Sequence, residues 1–482
     1  MSKLYVFGIG GTGSRVLKSL SMLLASGVQI NASEIIPVIV DPDASSGDLT
    51  RTVSMLRNYE AIRSLFKFPE GKRNEFFRTK INMDIVPYLC MPIQNTQNVK
   101  FSEYIGLQQM TEGGKEDANY ALTSLLFSEK NLNSKMDVGF KGNPNVGSVV
   151  LNQFQQSQTF IDILSSFQQG DRIFIISSIF GGTGASGFPL LIKNLRSANQ
   201  AISGAAFARN AAIGSVTVLP YFGLKTNEDS EIDSTTFVSK TKAALSYYDK
   251  NMTESNVMYY LADSLIEQYN NCEGGPEQKN KAHFIEVAAA LAIVDFMSIP
   301  DNLVQTVNSQ PQGTIYKEFG LLSDNPQKIV FNDLSAQTNS QIRKPLTQFA
   351  FFAKYLIEQI ESSKKQPWAV DLMFDDNFLQ SDFFQNLKRY VVDAREWLTE
   401  MSNNTRGFSP FRFDIESRNL FSMVQGVEPA KVVSMNSNYA LYDTILNKEA
   451  KKVSMDLCPQ ERFVELFYRA TARLVESKLR MA

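Results

Sequence analysis

The stretch 173–189, IFIISSIFGGTGASGFP, limits most strongly how this chain can fold. It begins with four apolar, mostly β-branched residues, which have the length and composition of a buried strand. Glycines then surround Thr183 and predict a turn, after which a helix begins. A strand that leads through a glycine loop into a helix directs bare N–H groups and the positive end of a helix dipole at one point. The pattern favours a phosphate site, and close packing of the helix is the alternative reason for the glycines.

A second loop of the same kind opens the chain. Residues 3–7 (KLYVF) predict a short strand, residues 8–14 (GIGGTGS) form the loop, and RVLKSLSMLLA has the apolar spacing of a helix. The next apolar run, EIIPVIVDPD, predicts a buried strand that ends at Asp41 and Asp43. Acidic side chains at this place resemble the dinucleotide-binding pattern, in which a carboxylate holds a ribose hydroxyl. The N-terminal part therefore predicts a second phosphate loop with two carboxylates nearby.

Composition narrows the class of protein. A length of 482 residues predicts two or three domains, and a net charge of −2 without a basic block argues against a nucleic-acid binder. The three cysteines, Cys90, Cys272 and Cys458, lack metal-site spacing and fit a reducing cytoplasm. Because His283 is the only histidine, a histidine metal site or a Ser-His-Asp triad is nearly excluded. No apolar run reaches transmembrane length, so we expect a cytoplasmic protein without membrane contact.

The rest of the chain supplies further elements in order. Residues 45–138 contain short stretches that resemble helices, such as NEFFRTKINMDIVPYL, and predict a helical insertion with a structural role. The turn-rich loop 141–147 follows, and later VMYYLADSL predicts a strand that ends at Asp263. NNCEGGPEQKNK predicts a mobile loop before the strongly apolar helix KAHFIEVAAALAIVDFM. Beyond residue 319 the apolar spacing is mostly helical, with KIVFNDL and AKVVSM as the few strand-like runs.

Four of these loops, taken in order, resemble the tubulin/FtsZ superfamily of GTP-binding, filament-forming proteins, in particular its divergent bacterial branches. The matching segments are residues 8–14, 41–43, 142–147 and 181–187. Two departures stand out. Phe180 replaces the first glycine of the family signature, and Ala185-Ser186-Gly187 spaces the small residues differently. No P-loop lysine is present, and two glycine loops at helix N-termini can share one triphosphate without it.

The resemblance implies GTP or GDP with Mg²⁺ as cofactors. In it Asp41 accepts from the ribose and Asp43 reaches Mg²⁺ or its waters, and a solvated strand-end pair is the alternative for both. Arg15 touches phosphate or only caps the site. The remaining nucleotide contacts implied by the loops are Gly10, Gly11, Thr12, Gly13, Gly142, Asn143, Gly181, Gly182, Thr183, Gly184 and Ser186.

For base contact and hydrolysis, the resemblance implies roles for single residues. Asp263 would contact ribose or base, Phe284 would stack on the base, and the Glu286 carboxylate would bond guanine. For hydrolysis, Asp301 is the nearest equivalent of the family's acidic residue after the central helix, with Asp295 behind it. Each of these residues has a structural alternative, such as a helix cap or first-turn acid.

The expected fold is α/β: a Rossmann-like parallel-sheet GTP-binding domain at 1–280 with the insertion at 45–138, a central helix at 281–300, and a helix-rich C-terminal domain at 301–482. The expected function is GTP-dependent head-to-tail self-assembly into filaments, with weak hydrolysis at the subunit contact. Two alternatives remain open. One is a Rossmann-type NAD- or ATP-dependent enzyme of the adenylating kind, and the other is a non-hydrolysing structural subunit that nucleotide stabilises.

Overall fold

The computed structural model describes residues 2–68, 74–86, 88–111, 118–225, 237–270, 272, 274–318, 327–430 and 438–481. The strands are β1 (Leu4–Ile9), β2 (Glu34–Val40), β3 (Lys80–Ile81), β4 (Arg172–Ser178), β5 (Ala212–Val218), β6 (Gly223–Leu224), β7 (Val257–Leu261), β8 (Gln268–Tyr269), β9 (Thr306–Val307), β10 (Gln310–Pro311), β11 (Ile315–Glu318), β12 (Lys328–Ile329) and β13 (Gly407–Phe408).

The α-helices of the described ranges are α1 (Gly10–Ala25), α2 (Gly47–Arg63), α3 (Phe101–Tyr104), α4 (Ala118–Leu126), α5 (Glu129–Leu132), α6 (Pro144–Leu151), α7 (Gln158–Ser165), α8 (Gly182–Arg196), α9 (Ala205–Asn210), α10 (Phe237–Asn251), α11 (Phe284–Ser298), α12 (Ala336–Glu358), α13 (Pro367–Asp371), α14 (Asp376–Gln380), α15 (Asp382–Ser402), α16 (Asn438–Ala450) and α17 (Pro459–Leu479). In the same ranges, no helix is both long and apolar enough to cross a membrane.

The central sheet places β1 and β4 side by side. Its strand order within the described residues is β3-β2-β1-β4-β5-β7-β11, and every pairing is parallel. Leu4 pairs with Ile35 on one side and with Arg172 on the other, so the strand order reverses at β1. In doubly wound sheets, ligands bind outside the carboxyl ends of the strands at this reversal. The predicted α/β fold class with a parallel sheet is confirmed.

Apolar cores cover both faces of the sheet. Because side chains alternate along a strand, Leu4 and Val6 of β1 join one core with α1, α11 and the C-terminal helices. Tyr5, Phe7 and Ile9 join the other core with α6, α7 and α8. The two helices that begin at the glycine loops, α1 and α8, therefore pack on opposite faces of the sheet. Both start at the carboxyl ends of neighbouring strands.

The central helix predicted at 281–300 is α11. Every residue from Phe284 to Val294 is buried, which explains why the segment is apolar on all sides instead of amphipathic. His283 caps it, since its Nδ1 accepts a hydrogen bond from the Ile285 N–H at 3.1 Å. The helix packs against α1, so it connects the first phosphate loop with the C-terminal part.

The prediction of a wholly helical insertion at 45–138 is wrong in one part. NEFFRTKINMDIVPYL, which resembled a helix, contributes β3, where Ile81 pairs with Ile35 at the edge of the main sheet. Pairing along this edge satisfies backbone groups that a short isolated helix would leave open. The C-terminal part is largely helical as expected. KIVFNDL contains β12, which pairs with β13, whereas AKVVSM after Ala430 lies outside the described residues.

Candidate functional site

The two glycine loops meet at one cleft. Gly10 has a φ of +71°, and a Cβ placed on it would lie 3.6 Å from the Thr183 Cβ and 3.9 Å from the Gly184 nitrogen. The first turns of α1 and α8 are therefore in contact. Both line the same cleft, to which Gly11, Thr12, Gly181 and Gly182 also contribute. Two helix N-termini at one point combine unpaired N–H groups with two positive dipole ends.

A third loop, residues 139–142, closes one side of this cleft. A Cβ on Gly182 would lie 3.0 Å from the Phe140 Cβ and 3.2 Å from the Gly142 nitrogen. Lys141 and Gly142 both have positive φ, at 44° and 73°. The loop turns sharply there and brings Lys141 to the cleft wall. Its position is held by Lys240, whose Nζ donates to the Gly142 carbonyl at 3.0 Å.

Two predicted contacts serve packing and hydrogen bonding instead of lining the cleft. A Cβ on Gly13 would lie 2.4 Å from the carbonyl carbon of Gly8, so this glycine allows α1 to approach β1. Ser186 is buried, and its hydroxyl donates to the Gly182 carbonyl at 2.7 Å within α8. The hydroxyl is therefore engaged within its own helix, and its predicted contact with nucleotide stays a prediction. Asn143 also lies outside the lining and caps α6.

Asp41 and Asp43 both line the cleft next to the loops. The Asp43 nitrogen donates to Asp41 Oδ1 at 3.0 Å. Asp43 is buried, and its Oδ2 accepts from the Gly275 N–H at 2.7 Å. Burial raises the pKa of Asp41 to about 7, and the neighbouring Asp43 carboxylate acts in the same direction. The two carboxylates are thus held in place by backbone hydrogen bonds, which a solvated pair at a strand end would not have.

Arg15 forms the centre of a buried network beside the cleft. Its Nε donates to Glu286 Oε1 at 2.8 Å, and one terminal nitrogen donates to Asp48 Oδ2 at 2.8 Å. The other terminal nitrogen donates to the Tyr221 hydroxyl at 2.6 Å. Burial raises the pKa of Glu286 to about 7 and that of Tyr221 to about 12. These bonds link α1 to α2 and α11. Arg15 also lines the cleft, so its two predicted roles, phosphate contact and capping of the site, both stay open.

The residues expected to read the base do not line the cleft. The Phe284 ring packs against Phe408, with ring centroids 4.9 Å apart, because α11 is enclosed by the C-terminal helices. Glu286 is buried against Arg15, as described above. Asp263 accepts from Arg406 at 2.6 Å and lies 3.7 Å from His283. Each of these three side chains thus has an intramolecular partner and lies outside the cleft lining, and its predicted base contact stays a prediction.

Other residues occupy the cleft away from the phosphate loops. Phe180, Phe222 and Phe237 form an aromatic wall, with Phe180 and Phe222 ring centroids 5.6 Å apart. Asn270, Gln278 and Asn280 add side-chain amides, and Cys272 and Leu224 complete this end of the lining. These rings are inclined to one another, by 80° between Phe180 and Phe222, and together with the amides they offer ring edges and hydrogen-bonding groups to a heterocyclic ring.

Asp301 lies at the opposite end of the strands, beside their amino termini. It pairs with Arg172, the first residue of β4, whereas the cleft lies beyond the last residue of that strand. The Asp301 side chain is 94% exposed. Asp295 lies earlier on α11, and its Oδ2 accepts from the Tyr259 hydroxyl and from Lys317 Nζ, both at 2.5 Å. Asp295 thus has structural partners, while Asp301 faces solvent.

The sequence analysis missed several lining residues. Lys141 directly precedes the glycine of the third loop, so the turn itself was an available signal. The segment 274–280, predicted to be part of a mobile loop, is tied to the site: the Gly275 N–H bonds Asp43, and the Asn280 N–H donates to Asp48 at 3.2 Å. Its Gly-Gly-Pro run marked a turn, and nothing local indicated these distant partners. In the described ranges, no group of three or more His, Cys, Asp or Glu side chains forms a metal site.

No known protein-family model matches this chain, and no curated protein matches it. Comparison with solved structures finds CetZ2 from Haloferax volcanii, described as a GTPγS-bound protofilament. It is 13% identical with a TM-score of 0.29, over 65% of this chain and 64% of that one. CetZ from Methanosaeta thermophila strain DSM 6194 is 15% identical with a TM-score of 0.27, over 62% and 52%. The match thus spans less than two thirds of either structure's length.

Both TM-scores lie below 0.5, so these two likenesses carry no argument about the fold or function of this chain.

Proposed function

We propose that this chain binds a nucleoside triphosphate, GTP by the resemblance of its four loops, and assembles head to tail. The observation that carries the proposal is that both glycine loops line one cleft and lie so close that a Cβ added to Gly10 would touch Thr183. Two helix N-termini at one cleft spread the charge of a polyphosphate over many N–H groups. Packing of one helix on one strand would not require both loops to line the same cleft.

The roles of individual groups follow from their chemistry. The N–H groups at the starts of α1 and α8 would hold the phosphates, with the Thr183 hydroxyl and the Lys141 ammonium adding donors. Asp41 and Asp43 would hold Mg²⁺, which proteins usually bind through one or two carboxylates together with substrate phosphates. These two carboxylates fit that pattern, because no all-protein metal cage is needed. When bound, the ion would neutralise phosphate charge.

The base would lie at the aromatic end of the cleft. Phe222 and Phe237 offer faces or edges to a ring, and the amides of Asn270, Gln278 and Asn280 can donate and accept. This arrangement replaces the contacts first expected from Phe284, Glu286 and Asp263. Neutral amides discriminate between purines less strongly than a carboxylate that accepts from guanine N1–H and N2–H₂.

Self-assembly is supported by the positions of Asp301 and the cleft, which lie at opposite ends of the central strands. A head-to-tail contact would place the exposed Asp301 carboxylate of one copy over the cleft of the next. A heterologous contact that does not close gives filaments, and nucleotide at that contact makes assembly switchable. Asp301 would orient water for hydrolysis only within the filament, so we expect slow, concentration-dependent GTPase activity.

Equilibrium binding of labelled GTP tests the nucleotide site. We expect saturable binding that is reduced at least 100-fold in both Gly11→Asp and Thr183→Asp, because each adds a carboxylate at a residue that lines the cleft at the start of α1 or α8. Gly313→Asp is the matched control, since a Cβ on Gly313 meets nothing within 4 Å. Binding of ATP or NAD without GTP binding would overturn the assignment and favour the adenylating-enzyme alternative.

Light scattering and negative-stain microscopy test assembly separately. We expect filaments with GTP or GTPγS and none with the Thr183→Asp variant. A wild-type chain that binds GTP and remains monomeric at every concentration tested would refute head-to-tail assembly and leave the structural-subunit alternative.

A further inference from the structure

A second cavity lies next to the nucleotide cleft and shares one segment with it. This cavity of about 400 Å³ is enclosed by α1, α2 and α15 and by the segment 276–279. Pro276 and Lys279 line it, whereas Gln278 and Asn280 of the same segment line the cleft. The two cavities are thus separate spaces on either side of one short stretch of chain.

Lys18 of α1 is the decisive side chain in this second cavity. It is 7% exposed, and its ammonium group makes no hydrogen bond or ion pair with any residue in the parts of the chain that the structure describes. Burial lowers its pKa and the neighbouring Arg51 acts in the same direction, whereas the carboxylates of Glu400, Glu286 and Asp48 act against this shift from beyond ion-pair distance. A buried charge is normally paired, because removing it from water is costly. Lys18 therefore points to a missing anion.

The surrounding charges favour a ligand of negative charge. Three more cations and two carboxylates line the cavity, namely Arg51, Lys279, Arg389, Asp393 and Glu396. One of these cations, Arg51, is already balanced by Asp48 and Glu400, so one positive charge remains in excess.

At the mouth of the cavity, the Lys279 side chain packs closely against the start of α2. A Cβ on Gly47 would lie 2.6 Å from the Lys279 Cγ, so this glycine lets the lysine stem cross the start of α2. Gly47 is the first residue of this 17-residue helix, whose positive dipole end therefore faces the same space. Arg51 is fixed by Asp48 and Glu400 at 2.9 and 2.8 Å, which orients its guanidinium before any ligand binds.

We propose that this cavity binds a small polyanion, a molecule with at least two phosphate or carboxylate groups, with Lys18 at its centre. Lys18 and Arg51 supply the inner charge, and Lys279 and Arg389 complete it from the exposed rim. The site is independent of the nucleotide cleft and does not rest on the function proposed for it.

Inorganic pyrophosphate is a suitable probe, measured by thermal unfolding of the full chain. Because pyrophosphate would also enter the nucleotide cleft, the measurement is made in the Thr183→Asp background, with Gly11→Asp as the second background. We expect saturable stabilisation in both. Adding Lys18→Met should weaken pyrophosphate binding at least tenfold, while the probe-free protein becomes no less stable because an unpaired buried charge is removed.

Two further variants make the test specific. Arg389→Gln changes an exposed rim residue, cannot disturb the core, and should weaken pyrophosphate binding several-fold. Lys193→Met, on the exposed face of α8, is the control and should leave binding unchanged. Equal pyrophosphate binding with and without Lys18→Met, or no saturable stabilisation in either background, would overturn the proposal. Since the background variants block the cleft, this outcome is separate from any failure of GTP binding.

Discussion

Replacing Arg15 by methionine removes the cation that links α1 to α2 and α11. Asp48 would keep its bonds from Arg51 and the Asn280 N–H. Glu286 would lose its only described hydrogen bond, since its Oε2 already has no partner among the described residues. The expected cost is therefore concentrated on one buried carboxyl group. Breaking a buried ion pair in this way typically costs about 3–5 kcal/mol.

The pH dependence shows where this cost appears. In the parent the pKa of Glu286 is already raised from 4.5 to about 7, so most of the penalty for burying this carboxyl group is present at pH 7 with or without Arg15. Arg15 lowers this pKa, so its removal raises the pKa further, and the pH-linked part of the added cost develops above pH 7. In the parent, the raised pKa of Glu286 means that stability is fully present below pH 4.5 and is lost as the pH rises to about 7. In the variant this loss should continue above pH 7.

Urea unfolding followed by tryptophan fluorescence measures the effect. Trp397 is a local reporter, because its Nε1 donates to Ser19 on α1 at 3.1 Å. The double variant Arg15→Met/Glu286→Gln should recover most of the loss, since no buried charge then lacks a partner. The control is Arg473→Met, which breaks an exposed pair with Glu476 and should cost less than about 1 kcal/mol. An Arg15→Met variant as stable as the parent, with the same pH profile, would refute the reasoning.

Three further predictions concern single side chains. Burial lowers the pKa of His283 from 6.5 to about 4, so the unfolded chain binds more protons between these values and stability decreases as the pH is lowered through them. His283→Asn should remove about 3 kcal/mol of this decrease, measured by urea unfolding at pH 4 and at pH 7. Ser186→Ala should keep GTP affinity within about twofold in equilibrium binding, because the hydroxyl serves the Gly182 carbonyl; a tenfold loss would show that it contacts nucleotide. Asp301→Ala should leave GTP affinity unchanged and lower phosphate release from assembled protein at least tenfold; unchanged release would exclude Asp301 from hydrolysis.

Local patterns allowed the phosphate loops and the sheet to be predicted. A strand, a glycine turn and a helix are consecutive in sequence, so residues 8–14 and 181–187 carry their own signal. The contact between Gly10 and Thr183 follows once β1 and β4 are neighbours in a parallel sheet.

The side-chain partners could not be predicted in the same way. Arg15 and Glu286 are 271 residues apart, and Asp43 and Gly275 are 232 apart, so no local spacing links them. Ser186 resembled a phosphate ligand because a hydroxyl after a glycine loop has the right chemistry, yet its helical position turns it toward its own backbone. The strand β3 was missed because two residues carry too little periodicity.

The central claim is that the loops after β1 and β4 hold one polyphosphate between them. A crystal structure of the chain with GTPγS tests it most directly. The account predicts phosphate oxygens within hydrogen-bond distance of N–H groups at the start of α1, around Gly11, and at the start of α8, around Gly182. Density for the phosphates against only one of these loops, or outside the cleft they share, would contradict it.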